Sequence, residues 1–355
     1  MKKELPSITL IGIDCVNLKR LQLAADISTK DITFGSVKLL TSIKSDDPRV
    51  IQIPHINSAK KYSDFMIKEL YKYIDTNFAL IFQHDGFVLN PFAWSDSFLQ
   101  YDYIGSPWYH LGDLRIGNGG FSLRSKKLID WLANNWKKAG ARIHPEDVFI
   151  SKFARPYLEQ SGMKFAPENI AKQFSMEGNE RSVVWNGEFG FHGITWTDIS
   201  NWLVNHLEYK KQLNYKLDDY TTLMKKYPTY DETVHTFKFS KHNIKNYVQS
   251  SKNEKNYEAR LTQEKYYDYS KIKIGDTIIF KRSGVVFEDV PIPAFEKRVE
   301  KIESFKSFSD LRKAYSKICV TYPIKDIPKW KKPFIKIFGD SIYPKNKPYS
   351  IFWFD

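Results

Sequence analysis

Cysteine is nearly absent from this sequence: its 355 residues include only Cys15 and Cys319. Two thiols cannot build a disulfide framework or a four-thiolate metal site. No stretch comes near the roughly 18 consecutive apolar residues that a membrane-crossing helix needs. The opening Met1-Lys2-Lys3-Glu4-Leu5-Pro6 runs straight into a strand-like segment, with neither the apolar core nor the cleavage site of a secretory leader. These absences set the expectation of a cytoplasmic protein with no transmembrane segment. Hydrophobic residues make up 42% and charged residues 27%, which is ordinary for a globular chain and too apolar for a disordered one. Aromatic residues reach 15%, enough for large cores or for surfaces that stack on bases and sugars. At about 100–200 residues per domain, the length predicts two domains.

The formal net charge of +13 is unevenly spread. From residue 206 onward there are 30 Lys and Arg against 19 Asp and Glu, whereas residues 1–205 carry 24 against 22. One near-neutral half and one strongly basic half point to domains with different partners. A basic domain suits nucleic acid or another polyanion, although a lysine-rich surface that is merely solvated has the same composition.

The first half alternates strand and helix patterns. Ile8-Thr9-Leu10-Ile11-Gly12-Ile13 is a short apolar run ending at Asp14, and Phe78-Ala79-Leu80-Ile81-Phe82 is a second, emptying into Gln83-His84-Asp85-Gly86. Helical stretches are expected around Leu18 to Ser28, Tyr62 to Tyr73, Ser125 (as cap) to Trp136, and from His144-Pro145-Glu146-Asp147 towards Gln160. Such alternation favours an α/β layer fold whose ligands collect at the carboxyl ends of the strands, where Asp14 and Asp85 fall. Residues 206–232 read as a polar connector. Beyond it the pattern is β-rich, with strands expected at Thr236–Phe239, Lys271–Ile274, Thr277–Phe280 and Ser350–Phe354 and a helix at Phe308–Tyr315.

A carboxylate at a strand end can hold a divalent cation that bridges two phosphates, though a lone Asp85-Gly86 reads first as a turn. Gly117-Asn118-Gly119-Gly120 lets backbone approach a ligand closely, but its spacing is not the dinucleotide fingerprint. Glu146-Asp147 places carboxylates at a helix start, where capping is the ordinary use. His192 lies on a glycine-flanked segment and is available as a ligand. Arg124 suits a phosphate or a helix carboxylate equally. Trp108 and Phe121 could stack on sugar or base, with core packing the commoner use.

Together these segments resemble something specific. Residues 5–203 resemble an uncharacterised family of glycosyltransferase-A-like domains. The resemblance runs through Ile11-Gly12-Ile13-Asp14, Phe82-Gln83-His84-Asp85-Gly86-Phe87, Tyr101 to Trp108, Gly117 to Ser125, His144-Pro145-Glu146-Asp147 and Phe189-Gly190-Phe191-His192-Gly193. It implies a mixed sheet flanked by helices and transfer of a sugar from a nucleotide-sugar donor. It also implies Mn²⁺ or Mg²⁺ at an Asp-X-Asp strand end, here changed to Gln83-His84-Asp85. By that analogy Asp85 and His192 are the metal ligands, and Asp14, Gln83, Asp85, Gly119, Gly120 and Arg124 bind donor. Asp147 is the catalytic base of an inverting transfer, and Glu146 orients the acceptor. Gln83 brings an oxygen but no charge, so the cation should be held less tightly.

Residues 233–355 resemble the ASCH domain, a small β-barrel related to the PUA fold and associated with RNA. The likeness lies in Tyr257 to Leu261, Lys271 to Phe280, Val299 to Ile302 and Phe305 to Leu311. It implies that Lys255, Glu258 and Arg260 face a nucleic-acid-binding cleft; a plain salt bridge is the alternative use of such residues. Tyr257, Tyr266, Tyr267, Tyr269 and Phe280, interleaved with the basic residues, fit phosphate attraction with base stacking. The expected architecture is therefore residues 1–205, a connector at 206–232, and a basic barrel at 233–355. The expected activity is a metal-dependent glycosyltransferase whose acceptor is a nucleic acid such as RNA or DNA, or else a carbohydrate or protein with the basic module as tether. Two other readings stand beside it: an RNA-binding protein with an inactive nucleotide-sugar domain, and an amidohydrolase acting on acylated cytidine through the second module.

Overall fold

The computed structural model describes residues 2–108, 117–140, 142–178, 183–227, 232–239, 244–261, 269–282, 292–315 and 348–355. Cys319, Tyr266 and Tyr267 lie outside the described residues. The chain divides into two compact units, Met1–Thr221 and Thr222–Asp355.

The first unit is a mixed α/β layer structure. Its chain order begins β1 (Lys3–Ile13), α1 (Leu18–Thr29), β2 (Ile32–Thr41), β3 (Val50–Gln52), α2 (Ala59–Lys68), β4 (Phe78–Phe82) and β5 (Tyr103–Gly105). It continues with β6 (Ser122–Ser125), α3 (Lys126–Asn135) and a continuous helical run from Glu146 to Gln160. That run is α4 (Glu146–Val148), a π-turn segment (Phe149–Ala154) and α5 (Arg155–Gln160). Six strands form the central sheet in the order β3-β2-β1-β4-β6-β5. β3, β2, β1 and β4 run parallel, whereas β6 is antiparallel to both of its neighbours.

Alternation along β1 sends Leu10 to one face of the sheet and Ile11 to the other, each into its own apolar layer. α1 covers the first face with Leu18, Leu21, Ala24 and Ala25, and α2 covers the second with Phe65 and Met66. Burial on both faces explains why β4 reads as an unbroken apolar run. Each such Leu, Ile or Phe contributes about 1.5–3 kcal/mol on leaving water. Ser125 caps α3 by accepting from the Leu128 backbone N–H at 3.1 Å.

Short strands complete this unit: β7 (Ser175–Glu177), β8 (Val183–Val184), β9 (Gly190–His192) and β10 (Thr197–Asp198). β7 pairs in parallel with β9, and β8 with β10. Helices at Ser200–Leu203 and Leu207–Gln212 follow, with Tyr209, Leu213 and Tyr215 packed on the same apolar cluster.

The second unit holds a five-stranded sheet in the order β11-β13-β14-β15-β12. Its strands are β11 (Val234–Phe239), β12 (Tyr257–Leu261), β13 (Thr277–Arg282), β14 (Phe295–Phe305) and β15 (Tyr349–Phe354). Phe237, Phe239, Tyr247, Phe280, Phe352 and Phe354 pack as its core, so the aromatic Phe280 is core rather than surface. One expected strand is absent. Lys271–Ile274 spans the end of a 3-10 turn and a bend, because the Lys273 backbone N–H folds back onto the Asp276 carboxylate and Gly275 takes φ +93°. Only Ile272 of its two isoleucines is buried; Ile274 is exposed. Among the described residues no helix is long and apolar enough to cross a membrane.

Candidate functional site

The parallel strands β1 and β4 end side by side, and Asp14 and the Gln83–Gly86 turn lie just beyond those ends. The turn is closed by two backbone hydrogen bonds between Gln83 and Gly86, of 2.9 and 3.2 Å. Asp85 is tied to the segment after β9, because its carbonyl accepts from the Gly193 N–H at 2.7 Å. His192, the last residue of β9, therefore stands over the turn.

The His192 ring is held on every side. Its Nδ1 lies 2.9 Å from Glu177 Oε1, and its Nε2 lies 3.2 Å from Gln83 Oε1 and 3.8 Å from Asp85 Oδ1. A β-carbon on Gly120 would sit 2.0 Å from Nε2, and one on Gly86 would sit 2.6 Å from the ring carbon Cδ2. Burial works against a charged imidazole here, but the carboxylates of Asp85 and Glu177 outweigh it and raise the pKa to about 9. Asp85 Oδ1 is buried and has no hydrogen-bond partner. An orphaned carboxylate oxygen is costly unless something positive meets it.

Beside this lies a second group of charges. Glu146 begins α4, where its carboxylate accepts from Arg124 Nη2 at 3.4 Å. Arg124 is 0% exposed; Nη2 also reaches the Gly119 carbonyl at 3.2 Å, and Nε donates to Ser122 at 3.0 Å. Arg124 is thus paired with the helix carboxylate, while its Nη1 is buried without a hydrogen-bond partner. Burial, reinforced by the neighbouring Glu146 charge, pushes the Asp147 carboxyl up to about 7. Gly119 packs against this pair, since a β-carbon there would stand 2.7 Å from Glu146 Oε1 and 2.9 Å from Asp147 Cβ.

Asp14 is close by but occupied. Its Oδ1 accepts from the Val16 and Asn17 backbone N–H groups at 2.8 and 2.9 Å, and its Oδ2 accepts from Arg20 Nε at 2.5 Å. Burial raises its pKa, yet these donors outweigh that and leave it lowered overall. Its partner Arg20 has a side chain that is 40% exposed and a charge that is felt at His84. His84 itself is held below its ordinary pKa, mainly by burial.

The structure brings Gln83, Asp85, Gly119, Gly120, Arg124, Glu146, Asp147 and His192 into one neighbourhood. Trp108 and Phe121 are both buried. Three contributors carried no motif in the sequence: Glu177, Tyr62 and Arg20. Tyr62, on α2, accepts from Gln83 Nε2 at 3.1 Å and so turns the amide oxygen of Gln83 towards His192. Asn118 stood inside the glycine segment, but nothing there marks its side chain as the donor to Glu177.

Residues 48–192 match a family model described as "Protein of unknown function (DUF5672)". No curated protein matches the chain. Among solved structures, the chain is similar to the mannosyltransferase PcManGT from Pyrobaculum calidifontis in complex with GDP-Man and Mn²⁺. That likeness has 7% identity and a TM-score of 0.24, and covers 37% of this chain and 49% of that one. The chain thus spans about half the length of that protein. It is also similar to the apo form of the glycosyltransferase GlyE from Streptococcus pneumoniae, with 9% identity and a TM-score of 0.30 over 71% of this chain and 72% of that one.

A divalent cation fits the residues present. Among the described residues no three His, Cys, Asp or Glu side chains gather as a metal cluster. The candidate donors are one carboxylate oxygen, one imidazole nitrogen and the Gln83 amide oxygen. Asp85 Oδ1, buried and without a hydrogen-bond partner, is the atom a cation would meet, and His192 would ligate it only on giving up its Nε2 proton.

In the second unit, Lys255, Glu258 and Arg260 are packed inward. Glu258 (4% exposed) accepts from Lys255 (8% exposed) at 2.9 Å and lies 3.4 Å from Arg260 Nη2. The Arg260 guanidinium lies over the rings of Phe237 and Phe239, 5.0 and 4.8 Å from their centroids. These three residues form an ion-pair cluster.

Proposed function

We propose that the first unit is a glycosyltransferase-A-like enzyme, moving a sugar from a nucleotide-diphosphate donor to an acceptor hydroxyl or amine with inversion. The observation that carries this reading is one neighbourhood, beyond the ends of β1 and β4, that offers both a place for a cation and a base. The unpartnered Asp85 oxygen stands beside His192, and Asp147 has a carboxyl raised to about 7. Asp85, His192 and the Gln83 oxygen would hold Mn²⁺ or Mg²⁺, which when bound offsets the charge of the departing diphosphate. Asp147 takes the acceptor proton as the acceptor oxygen or nitrogen attacks the sugar, and a carboxyl near neutrality is matched to that task. The Glu146 charge raises the Asp147 pKa and so keeps Asp147 from ionising too early. Arg20, steadied by Asp14, presents positive charge towards the donor phosphates.

The excess of 30 basic over 19 acidic residues from position 206 onward supports a polyanionic acceptor or tether, such as RNA or DNA. The buried Lys255–Glu258–Arg260 cluster is then a structural element, and the binding surface is made by other lysines.

The test is donor hydrolysis across UDP-, GDP-, CMP- and dTDP-sugars with Mn²⁺, comparing the parent with Asp85→Ala. Cation-dependent nucleotide release from one donor, lost in the variant, is expected. No release from any donor, together with no donor binding by calorimetry, would refute the assignment.

A further inference from the structure

We infer that Glu177 is the positioning residue of the cation centre: it holds His192 so that Nε2 faces Asp85 and Gln83, and Mn²⁺ affinity depends on it. This rests on the cation-binding reading of Asp85 and His192 given above.

The placement is built into the backbone. In the parallel pairing of β7 with β9, Glu177 is the register partner of His192. Its Oε1 lies 2.9 Å from Nδ1, and its Oε2 accepts from Asn118 Nδ2 at 2.7 Å; Asn118 Nδ2 also lies 3.1 Å from Nδ1. Asn118 is itself anchored, because its Oδ1 accepts from the Gly120 and Phe121 backbone N–H groups at 3.0 and 3.2 Å. The chain Gly120–Asn118–Glu177–His192 therefore links the glycine segment to the ring that Gly120 packs against. The His192 carbonyl is pinned as well, accepting from Thr197 Oγ1 at 2.6 Å.

A carboxylate on Nδ1 fixes the ring orientation, leaves Nε2 as the ligating nitrogen and makes it a better donor. Glu177 is buried, and among the described residues its two oxygens are taken up by His192 and Asn118, so on this reading it does not touch the cation itself. It matters more here than in a site with two carboxylate ligands, because Gln83 supplies no charge and His192 must carry a larger share of the binding.

The experiment titrates the full chain with Mn²⁺ alone, following the free-ion signal by electron paramagnetic resonance. The bound ion is then examined for spin-echo modulation from a coordinated imidazole nitrogen. Parent, Asp85→Ala, Glu177→Gln and Glu177→Asp are compared, with no sugar donor present. Expected are saturable binding in the parent, loss in Asp85→Ala, and a Kd raised about 10- to 100-fold in Glu177→Gln with weakened nitrogen modulation. Glu177→Asp keeps the charge but retracts the oxygen, and should fall between parent and Glu177→Gln; it also serves if the amide variant does not fold. Binding lost in Asp85→Ala but unchanged in the folded Glu177 variants would overturn the inference and leave the cation centre standing. No saturable binding by the parent, or equal binding by Asp85→Ala, would overturn the centre and the inference together.

Discussion

Changing Glu146 to Gln removes a charge beside Asp147 while keeping the side chain's shape. Asp147 is raised from an ordinary carboxylate value of 3.8 to about 7, by burial first and by Glu146 second. At a pKa of about 7, roughly one molecule in ten has an ionised Asp147 at pH 6 and about nine in ten at pH 8. If Asp147 is the base, kcat/KM for transfer should rise nearly tenfold across that interval, and Asp147→Asn should abolish the rise together with most of the activity. Removing the Glu146 charge eases ionisation of Asp147 and also frees Arg124 to attract it. Both effects lower the pKa, so the limb of the pH profile moves to the acid side in Glu146→Gln. The sign for stability is opposite. A carboxyl raised in the folded state contributes stability in full below the ordinary carboxylate range, and that contribution is lost as pH rises towards 7. The parent should therefore be easier to unfold at pH 7 than at pH 5 on this account, and Asp147→Asn should flatten the difference. The assay is a pH series of initial rates at low donor, paired with denaturant midpoints at each pH. A parent profile flat between pH 6 and 8, or a limb that stays in place in Glu146→Gln, would refute the assignment of Asp147 as a base tuned by its neighbour.

Three further substitutions separate the halves of the site and test the second unit. Gly120→Ala should weaken Mn²⁺ binding, because its methyl group would stand 2.0 Å from His192 Nε2; Gly119→Ala, crowding Glu146 and Asp147 instead, should spare Mn²⁺ binding and disturb the pH limb. Mn²⁺ titration and pH profiles of both variants check this, and matching defects would count against it. Glu258→Leu should cost about 3–5 kcal/mol, because it removes the carboxylate that pairs the buried Lys255 and the half-buried Arg260. Thermal unfolding reads that loss, and a change within about 0.5 kcal/mol would show that the cluster is not a structural unit.

Where a single segment carries its own signal, the sequence was legible. β4 is five apolar residues that end at Phe82, just before Gln83, and Ser125 stands one residue before a helical period. The loop motifs with His, Asp and Gly were visible in the right order, and they converge because the parallel strands end on one side of the sheet. What stayed hidden depends on contacts between distant segments. Glu177 lies in a three-residue strand too short to show a period, and it becomes part of the site only through its pairing with β9. The occupation of Asp14 follows from two backbone N–H groups turning back on it, which no residue type announces. Lys271–Ile274 shows the converse failure, since two isoleucines at alternate positions look like a strand whether or not both are buried.

The charges of the site divide into two accounts that meet at adjacent glycines. Arg124 is matched to Glu146 inside the protein, and His192 is matched to Glu177. Among the described residues, Asp147 has no ion-pair partner and the Asp85 Oδ1 atom has no hydrogen bond. On the proposed reading these two carboxylates carry the chemistry, one towards a proton and one towards a cation. Gly119 backs the first and Gly120 the second, each too close to its neighbour for a side chain. A single turn of backbone therefore sets the spacing between the group that would activate an acceptor and the group that would stabilise a leaving diphosphate. That spacing has to suit one bond being made as another is broken.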